Sequence, residues 1–254
     1  MNESNEFTLE KTDKIEKLKD IISKSNNIVF FGGAGVSTES GIPDFRSENG
    51  IYKAIENYGD PPETILSHSY FMENTDGFYK YYKENMIHTS AKANKAHLAI
   101  AELENQGKIK AIITQNIDGL HQKAGSKNVL ELHGSIMRNN CMDCGYSYSL
   151  DFIINSKEIP ICDKCGGIIK PDVVLYQEPL NNNIMNKATE YIANCDVLII
   201  GGTSLLVYPA AGLIQYFNGE NLILINKSET AYDSHANLII NEAIGEVFKE
   251  VMEE

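Results

Sequence analysis

The sequence predicts an α/β fold: a doubly wound, mostly parallel sheet interrupted by two insertions. Three observations lead there. Short apolar runs rich in Ile and Val recur along the chain, helix-period segments lie between several of them, and two stretches break that rhythm. Strands that alternate with helices form parallel sheets covered on both faces, so their runs read as continuously apolar.

The chain has 254 residues, 43% apolar and 22% charged, which is enough to bury a large core. Its 22 Lys+Arg against 35 Asp+Glu give a net charge of −13. A protein that tracks nucleic-acid phosphates needs a basic surface, and here the only arginines are Arg46 and Arg138. That argues against a nucleic-acid partner, and any anion must be held locally. Residues Met1 to Glu6 show no basic or apolar targeting pattern, and no apolar run approaches the roughly 18 residues of a membrane span. A soluble, cytosolic protein with no membrane partner is expected, without internal repeats.

The first strand, Asn27 to Phe31, runs into Gly32-Gly33-Ala34-Gly35-Val36-Ser37-Thr38. A strand entering a glycine-rich turn before a helix lets backbone N–H groups approach a pyrophosphate. Thr38 stands where the third glycine of G-x-G-x-x-G belongs; alone, the loop suits a dinucleotide site or a tight structural turn equally. The continuation Gly41-Ile42-Pro43-Asp44-Phe45-Arg46 offers a carboxylate, an aromatic lid and one of the two guanidiniums. In isolation it reads as well as a loop with Phe45 in the core.

Ile51 to Thr89, rich in Tyr, Asn, Glu and His and broken by Pro61-Pro62, reads as short helices. Asn94 to Leu103 reads as a helix capped by Asn94, with Leu98, Ala101 and Leu103 on its apolar side. The strand Ile109 to Thr114 ends in Gln115-Asn116-Ile117-Asp118, at the strand ends where ligands of doubly wound sheets collect. Amide and carboxylate groups there suit ribose hydroxyls or a carboxamide; an Asx turn is the alternative.

The strand Val129 to Leu132 closes on His133-Gly134. A histidine so placed suits a general base near neutral pH, though a lone histidine also serves structure. His68, His88, His97, His121 and His235 lack that pairing of strand end and glycine. Strands Val197 to Ile200 and Leu222 to Ile225 run into Gly201-Gly202-Thr203-Ser204 and Asn226-Lys227-Ser228, and Leu238 to Ile240 is a last apolar run. So many strand ends carrying ligand-type residues are hard to explain as turns alone.

The most specific local signal is Cys141-x2-Cys144 followed by Cys162-x2-Cys165 inside the second insertion, Asn139 to Gly167. The spacing matches a four-thiolate zinc site, and four thiolates fill a tetrahedral shell, so one structural Zn2+ with no open position is expected. Cys195, before a buried strand, reads as an inert core thiol.

In this order and spacing, Gly33-Ala34-Gly35-Val36-Ser37, Gly41-Ile42-Pro43-Asp44-Phe45-Arg46, Thr114-Gln115-Asn116-Ile117-Asp118, His133-Gly134, the two Cys-x2-Cys pairs, Gly202-Thr203-Ser204 and Ile225-Asn226 resemble the sirtuins, NAD-dependent protein-lysine deacylases. The resemblance spans about residue 12 to 252. It implies a Rossmann-like NAD-binding domain (12–50, 90–138 and 170–252) and a smaller domain made of a helical module (51–89) and a zinc-ribbon module (139–169).

It implies NAD as co-substrate, held by Gly33, Ala34, Gly35, Ser37, Thr38, Pro43, Asp44, Phe45, Arg46, Gln115, Gly202, Thr203, Ser204, Asn226, Lys227 and the backbone near Ile244. Asn116, Ile117 and Asp118 would surround the nicotinamide and its ribose. The acyl oxygen attacks the ribose C1′ as nicotinamide leaves, and His133 then acts as general base on a ribose hydroxyl. Asn116, Asp118 and Arg46 complete the implied catalytic set, Phe45 shielding the intermediate while Arg46 and Asp44 organise the loop. The products would be free lysine, nicotinamide and O-acetyl-ADP-ribose. The alternatives are protein mono-ADP-ribosylation and, from a different class, a non-enzymatic zinc-ribbon binding module.

The implied partner is an acetyl-lysine protein or peptide bound as an added strand along Pro171 to Glu178. There, Val174 and Tyr176 share a face by alternation, and Gln177 and Val207 complete the peptide side. Many relatives have Phe-Gly-Glu where this chain has Tyr176-Gln177-Glu178. Relatives that prefer succinyl or malonyl lysine carry Tyr-x-x-Arg in the helical module; here Tyr79 is followed by Tyr82 at the arginine position, with Lys83 next to it. Neutral acyl groups such as acetyl are therefore expected.

Overall fold

The computed structural model describes residues 10–43 and 48–253. The expected roles of Asp44, Phe45 and Arg46 lie outside the described residues. The described strands are β1 (Ile28–Gly32), β2 (Ile109–Thr114), β3 (Val129–Glu131), β4 (Gly134–Cys141), β5 (Ser147–Ser149), β6 (Ile169–Val173), β7 (Val197–Gly201), β8 (Asn221–Ile225) and β9 (Leu238–Ile240). The helices are α1 (Lys11–Lys24), α2 (Glu48–Tyr58), α3 (Pro62–Ile65), α4 (His68–Glu73), α5 (Thr75–Asn85), α6 (Lys95–Asn105), α7 (Leu120–Lys123), α8 (Leu150–Asn155), α9 (Asn182–Asn194) and α10 (Ile244–Met252). Among the described residues no helix is long and apolar enough to cross a membrane.

The six apolar runs expected as strands build one sheet in the order β3-β2-β1-β7-β8-β9, every described pair parallel. Side chains alternate across it. Ile28 and Phe30 pack with residues of α1, α6 and α10 on one face, whereas Val29 and Phe31 pack with α9 and the tight helical segment Ala210–Tyr216 on the other. Burial on both faces is what makes β1 apolar at successive positions. Growth of the sheet reverses direction between β1 and β7, and such a switch point opens a crevice at the strand C-termini.

Two local expectations are corrected. Asn94 does cap α6, its Oδ1 accepting from Ala96 N and His97 N while its own N–H bonds His97 Nδ1, a motif worth about 1 kcal/mol. Leu98, however, is 54% exposed, because the buried stripe runs through Ala96, Ala99, Ile100 and Leu103 and leaves Leu98 off it. Nor does a regular helix follow the glycine loop. Two single 3-10 turns, Ala34–Val36 and Thr38–Ser40, are closed by left-handed Gly41, and Ile42 N–H returns to the Ser37 carbonyl. The N–H groups of this loop therefore do not stand at the start of a regular helix.

The two insertions share one core. Phe71, Phe78, Tyr79 and Tyr82 of the helical segment pack with Tyr148, Leu150, Ile153 and Ile169 of the cysteine-bearing segment. The Tyr79 hydroxyl donates to the Ile169 carbonyl across that seam. The second sheet, β5-β4-β6, is antiparallel and its β4–β6 pairing runs from Gly134↔Val173 to Cys141↔Ile169. It overruns the expected 139–169 limits at both ends, because the strand that begins beside His133 continues without a break into the first cysteine turn.

Behind the Asp118 turn lie two buried imidazoles, His97 and His121, with ring centroids 4.8 Å apart. Burial, opposed by the Asp118 charge, lowers His97 to about 4; burial together with the His97 ring lowers His121 to about 3. Both are thus neutral in the native state, and their contribution is complete above the unfolded histidine value near 6.5. It is lost as pH falls from there towards 4 and below, at about 1.4 kcal/mol per pH unit for each proton taken up on unfolding. Urea unfolding of wild type and His121→Leu between pH 7.5 and 4.5 should show the variant's stability falling less steeply below pH 6.5; parallel profiles would contradict this.

Candidate functional site

The site is assembled around the crevice at β1 and β7. Gly33 N–H donates to the Gly201 carbonyl (3.2 Å) and Gly35 N–H to the Gly202 carbonyl (2.8 Å). A Cβ on Gly35 would stand 2.7 Å from Gly202 Cα, and one on Gly202 (φ 59) would stand 2.4 Å from Val36 N. The glycines here are spent on packing one loop against the other.

That packing orders the polar residues beside it. Asn116 Nδ2 donates to the Gly33 carbonyl (3.0 Å) and Ser37 Oγ (3.1 Å), and Ser37 Oγ donates to Asp118 Oδ2 (2.7 Å). Asp118 Oδ1 accepts from Leu120 N–H at 2.8 Å, so both carboxylate oxygens are fixed. Gln115 and Thr203 are buried and joined, Gln115 Nε2 donating to Thr203 Oγ1 (3.3 Å), which also accepts from Leu205 N–H.

His133 sits in the turn between the parallel and antiparallel sheets. Its Nδ1 lies 2.9 Å from the Gln115 carbonyl. A carbonyl only accepts, so the proton is on Nδ1 and the basic lone pair is on Nε2. The His133 carbonyl accepts from Val174 N–H (3.0 Å). Gly134 (φ 75) follows; a Cβ there would meet the Asp172 carbonyl oxygen at 1.9 Å, so no other residue lets β4 leave the turn so close to β6.

A cavity of about 240 Å³ brings together Ala34, Ser37, Pro43, Gln115, Asn116, Ile117, Asp118 and His133 with Val174, Tyr176, Gln177 and Val207. Gly33, Gly35, Gly202 and Thr203 stand behind it as the packed loops. Thr38 and Ser204 are exposed, the Thr38 hydroxyl donating to the Gly35 carbonyl. Asn226 and Lys227 lie one strand further along, after β8, where Asn226 Nδ2 donates to the Ser228 carbonyl. Ile244, at the start of α10, packs onto Gly201.

The expected docking strand Pro171 to Glu178 is shorter than predicted. β6 stops at Val173, and Leu175 to Glu178 form a turn in which Glu178 N–H donates to the Leu175 carbonyl and Glu178 Oε2 accepts from Leu175 N–H. Burial nevertheless alternates through Tyr176, which makes a parallel bridge to Ser67: Val173 and Leu175 turn inward, and Val174 and Tyr176 share the more open face and both reach the cavity.

Sequence reasoning missed Leu66, Asn85, Met86 and His88, which enter the cavity wall from the helical segment beside Tyr82. None follows a strand, so strand-end logic had no signal for them. It also missed Arg138, which pairs with Glu131 and Asp172, each at 2.7 Å, on either side of the His133 turn. Glu39 was missed too: its Oε2 accepts from Gly245 N–H (2.7 Å) and ties the glycine loop to α10.

Among the described residues, one group of His, Cys, Asp or Glu side chains is arranged to hold a metal ion: Cys141, Cys144, Cys162 and Cys165, whose sulfurs all lie within 4.8 Å of one another. The edges Cys141–Cys165 (3.4 Å) and Cys144–Cys162 (3.6 Å) compare with about 3.8 Å between thiolates on one tetrahedral zinc. Each pair is a matching turn, with Gly145 N–H donating to the Cys141 carbonyl and Gly166 N–H to that of Cys162. Cys195 is buried and burial pushes its thiol up to about 12, as an inert thiol requires.

Fold and site together define a dinucleotide-type α/β protein with a second, metal-competent module. The pattern of the Sir2 family matches residues 33–209, more than half of the chain. A Clostridium acetobutylicum protein named NAD-dependent protein deacetylase is 61% identical over 94% of this chain and 98% of its own length, and a Clostridium tetani protein of the same name is 60% identical over 95% and 98%. Among solved structures, one of Sir2 with a p53 peptide and NAD+ superposes with a TM-score of 0.84 at 36% identity, covering 94% of this chain and 97% of that one. A second, concerned with the mechanism and regulation of Sir2 enzymes, gives 0.83 at 42% identity, covering 94% and 98%. The chain belongs to the Sir2 family.

The cysteine geometry predicts that Cys162→Ser lowers bound metal from about one ion per chain to near zero and the melting temperature by roughly 5–10 °C, a loss of about 2–3 kcal/mol. Metal content and calorimetry check it; full metal occupancy in the variant would refute it.

Proposed function

We propose that the protein is an NAD-dependent protein-lysine deacetylase that passes the acyl group to ADP-ribose, releasing nicotinamide and O-acetyl-ADP-ribose. The observation that carries this reading is His133, its tautomer set by Gln115, in a cavity bordered by Asn116 and Asp118 on one side and by Val174 and Tyr176 on the other. The relatives named NAD-dependent protein deacetylase support it, as do the Sir2 structures holding a p53 peptide with NAD+ or 2′-O-acetyl-ADP-ribose, or a propionylated peptide.

NAD supplies an ADP-ribosyl carbon that exchanges nicotinamide for the acyl oxygen. The chain does the rest. Asn116 and Asp118, locked through Ser37, orient the nicotinamide end without rearrangement. His133 Nε2 takes the proton of a ribose hydroxyl, a step for which a neutral imidazole held by its other nitrogen is suited. The apolar lining from Leu66, Ile117, Ile136 and Leu175 keeps bulk water from the reacting oxygen while nicotinamide leaves; one water is consumed afterwards, when the acyl group passes to the ribose hydroxyl and the lysine amine is released. The four thiolates would hold one zinc ion, a closed soft-donor shell with a structural role. A cytoplasmic place of action is part of this reading, supported by five cysteines of which none forms a disulfide.

Incubation with NAD and an acetyl-lysine peptide should yield nicotinamide and O-acetyl-ADP-ribose by mass spectrometry. His133→Ala should lower turnover by at least about 100-fold with melting temperature and metal content retained. Normal turnover in that variant would remove the base assignment, and ADP-ribose mass added to protein instead of acyl loss would replace the reaction.

Acyl choice follows from the same wall. Among the described residues that line the cavity there is no lysine or arginine. Lys83 is engaged elsewhere, donating to the Ser156 carbonyl and hydroxyl and the Glu158 carbonyl. Burying an unpaired carboxylate is costly, so kcat/KM for succinyl-lysine peptide should fall below that for acetyl-lysine by more than about 10-fold, a gap of about 1.4 kcal/mol. Equal rates would contradict it.

A further inference from the structure

Gln177 lines the cavity with a backbone φ of 77, and the only other non-glycine positive φ among the described residues is Leu205 (φ 57), two residues before Val207 in another wall of the same cavity. Left-handed backbone is unfavourable for a residue with a Cβ and persists where its surroundings over-determine it, often at ligand clamps. At Gln177 the surroundings are specific. Its Oε1 accepts from Ser69 N–H (3.0 Å) and its Nε2 donates to Ser69 Oγ (3.1 Å).

Ser69 lies in the first turn of α4, where backbone N–H groups have no partner within the helix. The Gln177 carboxamide thus caps the helical segment while the same residue forms part of the cavity wall. The neighbouring rungs point the same way. His68 Nδ1 meets Glu178 Oε1 at 3.0 Å, Tyr176 N–H donates to the Leu66 carbonyl (3.0 Å), and His68 N–H donates to the Tyr176 carbonyl (2.9 Å). A glycine at 177 would adopt the same φ without strain, but would leave the Ser69 N–H and hydroxyl without these bonds.

Resting on the deacylase reading above, we propose that Gln177 is a positioning residue for the peptide substrate: its carboxamide clasps the turn Tyr176–Glu178 to α4 and holds ready the wall on which the acyl-lysine segment docks. Without the clasp the wall must be ordered when peptide binds, so the loss falls on peptide affinity. The NAD side, held by Gly33, Ser37, Asn116 and Asp118, does not share these bonds.

Steady-state kinetics with varied peptide and varied NAD, together with amide hydrogen exchange, test this in the full-length protein. Gln177→Gly should raise the peptide KM about ten-fold, the effect of losing one or two hydrogen bonds, with NAD KM and kcat changed less than about two-fold and the melting temperature maintained. Gln177→Glu keeps an acceptor for the Ser69 N–H and should recover part of the peptide KM. Exchange protection of the Ser69 amide should fall in Gln177→Gly. Unchanged Ser69 protection, or a wild-type peptide KM in Gln177→Gly, overturns the clasp. A wild-type protein that consumes no NAD with acetyl-lysine peptide overturns the deacylase reading instead, and the exchange measurement still decides the clasp.

Discussion

The backbone contact between Gly35 and Gly202 is the constraint on which the site depends. Parallel strands that diverge at a switch point leave a crevice between their following loops, and here the loops close on each other at a distance that admits no side chain. Because the Gly33 carbonyl is fixed by that approach, Asn116 has a stationary acceptor, and through Ser37 the Asp118 carboxylate is held as well. Thr203, one residue beyond Gly202, turns its hydroxyl to Gln115. A side chain at any of these glycines would separate three strand ends at once.

The second dependency is the turn at His133, where the two sheets meet. Its ring is tied to the end of β2 through Gln115 and its backbone to the end of β6 through Val174. The imidazole therefore reports the relative position of the large sheet and the small one. What fixes the small sheet is the aromatic core shared by the helical and cysteine-bearing segments, with the four thiols at the far end of β4. The cysteine cluster and the His133 turn thus stand at the two ends of one strand, β4.

Much of this was legible in the linear order of residues, and for identifiable reasons. Six apolar runs, the central ones buried on both faces, left little polar periodicity to mislead, and all six became strands of one sheet. His133 was visible because a strand end, a histidine and a glycine coincide, and the cysteines because ligand spacing is local. Failures came where one element's environment is set by another. Leu98 looked apolar-faced until the stripe through Ala96 and Ile100 decided which side α6 turns inward. The docking segment keeps strand alternation only as far as Tyr176, because Gln177 turns left-handed and Glu178 closes back on Leu175. Asn85, Met86 and His88 come from a segment whose position is settled only by packing.

The sequence by itself determined the class of fold, the crevice-forming loops, the histidine at the strand end and the cysteine quartet, because each rests on short-range patterns: apolar runs, glycine placement and ligand spacing. Tertiary structure alone decided how those parts act together. It set which nitrogen of His133 carries the proton, through a carbonyl eighteen residues away. It turned Arg138 into a brace between Glu131 and Asp172, and Gln177 into a clasp on Ser69. Such roles belong to pairs of groups far apart in the chain, and a pair acquires its chemistry only when packing has fixed the distance between them.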